Sequence, residues 1–88
     1  MHEYGIAENI LKTALAEADK HQAKKIFKIY VRLGQLNFLK PETLQDAFEI
    51  VAKDTIAASA KIEVEEIPGA EIKLTNLDIE WEANRKER

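Results

Sequence analysis

The stretch IFKIYVRL, residues 26–33, decides the fold. Phe27, Ile29, Val31 and Leu33 alternate with Lys28, Tyr30 and Arg32. Period-two alternation with β-branched and aromatic residues marks a strand that has one face on a core and the other in water. Gly34 ends it. A strand of this kind needs cover on its apolar side only, and the flanking segments supply it.

On the N-terminal side, residues 6–20 carry Ile6, Ile10, Leu11, Ala14, Leu15 and Ala18 at helical spacing, with Glu8, Lys12, Glu17 and Lys20 mostly off that stripe. The polar run DKHQAKK, residues 19–25, closes this helix. On the C-terminal side, residues 36–58 read as a loop and a second helix. Pro41 suits a first helical turn, where its missing N–H costs nothing, and Glu42 suits the positive end of the helix dipole. Leu44, Ala47, Phe48, Val51 and Ala52 form the buried stripe. AKIEVEEI, residues 60–67, then alternates as another strand, with Ile62 and Val64 inward and Lys61, Glu63 and Glu65 outward. IPGA, residues 67–70, breaks it. EIKLTNLDIEW, residues 71–81, reads as a hairpin of two short pieces, Ile72/Leu74 and Ile79/Trp81, around Thr75 and Asn76.

The expected fold is therefore α+β: two helices packed on one face of a small mixed β-sheet, with a short C-terminal hairpin. The break at residues 67–70 divides a main body, 1–67, from a hairpin and tail, 68–88. Such a hairpin is also a candidate for exchange between two copies in a homodimer.

Composition removes several function classes. The 88 residues, 45% hydrophobic and 33% charged, suit one small domain with a single core. A net charge of −3 and a pI near 5.4 argue against nucleic-acid or anionic-membrane partners. The basic clusters, Lys24 with Lys25 and the ending Arg85, Lys86 and Arg88, read as solvated ends. No stretch is apolar enough to span a bilayer, and the first residues lack the pattern of a secretory signal, so a cytoplasmic location is expected. The absence of cysteine excludes disulfides and cysteine-held zinc. No phosphate loop, nucleophile motif or acid–base pair nominates an active site, so no enzyme is expected. His21 sits in a charged helix end and reads as solvated.

The start, MHEYGIAENIL, is different. A bulky second residue disfavours trimming of the initiator methionine. Met1 then offers its α-amine, His2 an amide nitrogen and an imidazole, and Glu3 an amide or a carboxylate. These donors close adjacent chelate rings around one ion. Square-planar N,O coordination suits Ni²⁺ or Cu²⁺ and not tetrahedral Zn²⁺. Because protons must leave the donors, binding strengthens as pH rises.

MHEYGIAENIL, followed some thirty residues later by IYVRLGQL (residues 29–36), resembles the HypA family of nickel metallochaperones. The likeness extends through AFE at residues 47–49 and AKIEVEE at residues 60–66. The resemblance implies a nickel site at the N-terminus, with His2 the essential ligand and Glu3 contributing or positioning. It implies Ni²⁺ as transient cargo, a HypB-type GTPase and the hydrogenase large subunit as partners, and service to [NiFe]-hydrogenase or urease. The chain departs from the family pattern in two ways. Relatives carry a zinc-binding lobe after the IEVEE strand, whereas IKLTNLDIEW has Leu74 and Leu77 where the first cysteine pair is expected. No zinc is therefore expected; packing of Leu74, Leu77 and Trp81 on each other or on the sheet edge would hold the hairpin instead, the alternative being an exposed apolar dimer or partner contact. Gln35 stands where many relatives have Glu. The alternative to nickel delivery is a zinc-free HypA-like interaction module, whether natural or deliberately simplified.

Overall fold

The computed structural model describes residues 2–81. Met1 and the basic ending at Arg85, Lys86 and Arg88 therefore lie outside the described residues. Three strands form one mixed sheet around β1 (Ala23–Gly34). β2 (Lys61–Ile67) runs parallel to it on one side, and β3 (Ile72–Trp81) runs antiparallel on the other. α1 (His2–Lys20) precedes β1, and α2 (Pro41–Val51) makes the crossover from β1 to β2.

Both helices cover the same face. Ala7, Ile10, Leu11, Ala14 and Ala18 of α1 are buried, as are Leu44, Ala47 and Phe48 of α2. They pack with Ile26, Ile29 and Val31 of β1 in one core. α1 starts four residues before the expected Ile6, since Gly5 stays helical and Tyr4 and Ile6 rest against the core. It ends where Gln22 takes a left-handed conformation, φ 55°, so a two-residue turn feeds β1.

The second helix begins as its sequence suggests, with Pro41 in the first turn and Glu42 beside it. Its connection to β2 is a chain of turns, closed by bonds such as Thr55 N–H to the Ala52 carbonyl and Ala60 N–H to the Ala57 carbonyl. Ala52, Ala57 and Ala60 are fully buried there, where side chains no larger than methyl let the loop lie against the core. The Gln45 side chain then fixes the helix to the strand. Its Oε1 accepts the Ile62 N–H at 2.8 Å, and its Nε2 donates to the Ala60 carbonyl at 3.2 Å.

Two expectations need correction. Phe27 does not face the core: it is 46% exposed, and Ile26 is buried in its stead. A bulge is the cause, because Ile26 pairs with Ile79 and Lys28 with Asp78, leaving Phe27 as the extra residue and resetting the alternation. Its ring lies on the wet face under the Lys25 ammonium, 5.3 Å from the centroid. Nor do residues 71–81 form a hairpin. They make the single strand β3, and the expected turn at Thr75 is a second bulge, opposite the step from Tyr30 to Val31. The long β1 offers a partner for the whole segment. Ile72, Leu74, Leu77 and Ile79 can then all face inward, opposite Leu33, Val31, Ile29 and Ile26. A hairpin would have turned half of them away. Among the described residues, no helix is long and apolar enough to cross a membrane.

Candidate metal centre at the start of α1

The first turn of α1 carries the expected ligands His2 and Glu3. His2 is exposed and Glu3 half-buried. The first four N–H groups of any α-helix lack an intrahelical acceptor. The main-chain nitrogens of His2 and Glu3 therefore take no part in the helical ladder, and a metal can displace their protons without breaking it. The helix dipole opposes a cation at this end. Deprotonated amide nitrogens and the Glu3 carboxylate would supply the negative charge that offsets it.

Among the described residues, no three His, Cys, Asp or Glu side chains converge. Any ion held at this end of the described helix would therefore need main-chain donors beside the side chains. His21 does not help, because it stands at the other end of α1. With 19 residues at about 1.5 Å rise, the two histidines are about 28 Å apart along the helix. His21 lies 3.9 Å from Glu17 on the helix surface.

The scaffold near this end is tightly built. α1 and β1 run antiparallel through their short turn, and Ile6 shares a groove with Ile72, whose partner on β1 is Leu33. The start of α1 thus lies toward the end of β1. There Gly34 approaches the connection between β2 and β3 so closely that a Cβ would fall 2.4 Å from the Gly69 carbonyl oxygen. Gly34 N–H donates to the Glu71 carbonyl at 2.7 Å, and Leu36 N–H to Gly69 at 2.8 Å. The Asn37 amide bridges the carbonyls of Gly34 and Ala70, at 3.0 and 3.1 Å. This explains physically why glycine follows Leu33: no side chain fits. Neither Asn37 nor Gln45 stood out in the sequence, since a half-buried amide clasp has no periodic signal.

Gln35 is exposed in the short 3₁₀ turn Gln35–Asn37. After it, Leu36 is 62% and Phe38 87% exposed, Phe38 with a left-handed backbone at φ 51°. Leu74 and Leu77, expected as an apolar contact, are half-buried on the inward side of β3 opposite Val31 and Ile29. Trp81 closes β3 opposite Ala23.

A family model described as hydrogenase/urease nickel incorporation, metallochaperone, HypA, matches residues 1–81. The chain belongs to the HypA family. Hydrogenase maturation factor HypA of Archaeoglobus fulgidus is 42% identical over 64 residues, covering 73% of this chain and 58% of that protein. Its counterpart in Desulfatibacillum aliphaticivorans is 44% identical over 69 residues, covering 77% and 53%. The chain thus spans under two thirds of the length of these relatives. The solution structure of the Ni metallochaperone HypA from Helicobacter pylori superposes with a TM-score of 0.78 at 19% identity, covering 93% of this chain and 100% of that one. That likeness bears on the fold, two helices on a three-stranded mixed sheet. The family is described as one of metallochaperones, so the chain is classed with carriers and not with enzymes.

Proposed function

We propose that this HypA-family chain binds Ni²⁺ through Met1, His2 and Glu3 and hands it on, in the cytoplasm, during maturation of a [NiFe]-hydrogenase or urease. The observation that carries this reading is the first turn of α1, where an exposed imidazole adjoins main-chain nitrogens that have no helical acceptor. The chemistry is ligand exchange and not catalysis. The Met1 amine, the His2 amide and the His2 imidazole make a planar pincer, and Glu3 fills the fourth position. A partner that offers better-shaped ligands can peel the ion away, because few tertiary contacts hold the start of a chain. A HypB-type GTPase and the hydrogenase large subunit are the partners this role implies. These 88 residues include no cysteine, so a cysteine-held zinc has no part in this reading.

Titration of nickel into untagged, N-acetylated and His2→Ala protein tests the reading. Binding is expected only in the untagged form, with the d–d absorption of diamagnetic four-coordinate Ni²⁺. Equal affinity across the three would remove the proposal. The exposed Leu36 and Phe38 favour a second reading, a zinc-free interaction module without metal delivery. Under that reading, the proteins captured from cells would be the same with and without nickel.

A further inference from the structure

Phe38 combines two unfavourable features. Its backbone is left-handed, at φ 51° and ψ 43°, and its side chain is 87% exposed. In that conformation a Cβ crowds the following carbonyl oxygen, so glycine and asparagine adopt it readily and a bulky aromatic residue does not. The surroundings hold it there. On one side Leu36 N–H donates to the Gly69 carbonyl, and the Asn37 amide bridges Gly34 and Ala70. On the other, Leu39 packs against the core and Pro41 opens α2. Phe38 N–H itself donates to the Gln35 carbonyl at 3.0 Å. The loop is thus anchored before and after Phe38, while Leu36 and Phe38 project into water. Local strain that sets two apolar side chains in solvent marks a place that gains its contacts from another molecule.

Position narrows the choice of that molecule. α1 and α2 both run antiparallel to β1, so both begin toward the end of β1 that carries Gly34. His2 stands at this end too, one helical turn before Ile6 and its groove with Ile72. A protein that covers Leu36 and Phe38 is therefore brought up to the metal ligands. One that takes the ion must face it, whereas one that assists from elsewhere need not.

Charge supplies the chemistry. Glu3, Glu42, Glu66 and Glu71 lie at this end with Lys40, and among the described residues none of these is in an ion pair. Lys73, beside the Arg32–Glu65 pair, lies further down on the outer face of the sheet. The rim of the patch is therefore acidic, and complementary potentials favour a basic partner.

We infer that Leu36 and Phe38 dock into an apolar pocket rimmed by lysine or arginine on the protein that receives the nickel, and hold that protein over His2. The recipient is the hydrogenase large subunit if the nickel reading above holds, and that identity rests on it.

The test measures binding of the untagged chain to the nickel-free large subunit, with the HypB-type GTPase in a parallel arm. Leu36→Asn and Phe38→Asn should each weaken binding to the large subunit at least tenfold, as buried apolar anchors do. Phe38→Asn should melt no lower than the parent, because asparagine suits the left-handed backbone, and should bind nickel as the parent does. Glu66→Lys combined with Glu71→Lys should weaken docking several-fold, and added salt should weaken that of the parent. Ile50→Asn removes a side chain that is 61% exposed in the last turn of α2, at the other end, and should dock as the parent does. His2→Ala should dock undiminished, so failure of the nickel reading shows in the nickel titration and failure of the docking surface shows here. A parent that does not bind the large subunit, equal affinity of parent, Leu36→Asn and Phe38→Asn, or a loss confined to the GTPase arm would each overturn the inference.

Discussion

The middle of β1 and the first turn of α1 lie at opposite extremes of burial. Ile26, Ile29 and Val31 are at most 1% exposed, enclosed by both helices, whereas His2 stands in solvent. The difference separates two properties of one small domain. Stability resides in the close-packed middle, where every methylene has neighbours on all sides. The candidate chemistry resides at an exposed imidazole on the first turn of α1, where ligands could rearrange around an ion. Substitutions in the first region should unfold the chain, and those in the second should change binding and leave the fold intact.

Phe48→Ala should have the largest effect. Phe48 is fully buried between the sheet and α1, and its removal leaves a cavity that rigid neighbours cannot fill. A loss of about 3–5 kcal/mol is expected in urea unfolding, a large part of the stability of a domain this size. By contrast, His2→Ala should stay within about 0.5 kcal/mol of the parent, as exposed substitutions generally do. A matching loss in the two variants would erase the division between core and site.

The glycines sharpen it at lower cost. Gly34→Ala drives a Cβ against the Gly69 carbonyl, so backbone must shift, and about 1–3 kcal/mol should be lost, as in overpacked cores. Gly5→Ala has the opposite sign. Gly5 is exposed within α1 with open space around its Cβ position, so alanine should add about 0.5–1 kcal/mol through helix propensity. Thermal melts of the two variants should move in opposite directions. If Gly5→Ala also destabilises, the first turn of α1 is more constrained than its exposure suggests.

The same contrast explains how far the sequence could be read. Both helices, β2 and the centre of β1 were legible because burial on one face imposes a period, and Ile10, Ala14, Phe48, Ile29 and Val31 obey it. Phe27 and the segment 71–81 were misread because a bulge inserts one residue and inverts the pattern beyond it, with no compositional mark. Thr75 and Asn76 look like a turn in isolation, and only the length of β1 decides that they are a bulge in a continuous strand. The candidate metal centre was legible for a different reason. Its donors are consecutive along the chain, so no folding is needed to see them together. The clasp of Gly34, Asn37 and the 68–71 connection brings distant residues together and left no such trace.

The smallest expected effect lies on the wet face of the sheet, which belongs to neither extreme. The Tyr30 hydroxyl donates to Asp78 Oδ2 at 2.8 Å. That hydrogen bond, then desolvation, then the negative charges of Asp78 and Glu63, hold the phenol's proton more firmly than in a free tyrosine and raise its pKa above 10.0. A raised pKa in the folded state means that the unfolded chain loses this proton first. The stabilisation is thus present below the ordinary phenol value and disappears as pH rises through the higher, folded one. Phenolate absorbance of a Tyr4→Phe chain, which leaves Tyr30 as the remaining phenol, should show a midpoint above 10, and Asp78→Asn should bring it back down. The pair is exposed, so the melting temperature at neutral pH should barely move. A large destabilisation from Asp78→Asn would mean that the β1–β3 seam relies on this bond as it relies on its buried face, and the outer surface of the sheet would then have to be counted with the core.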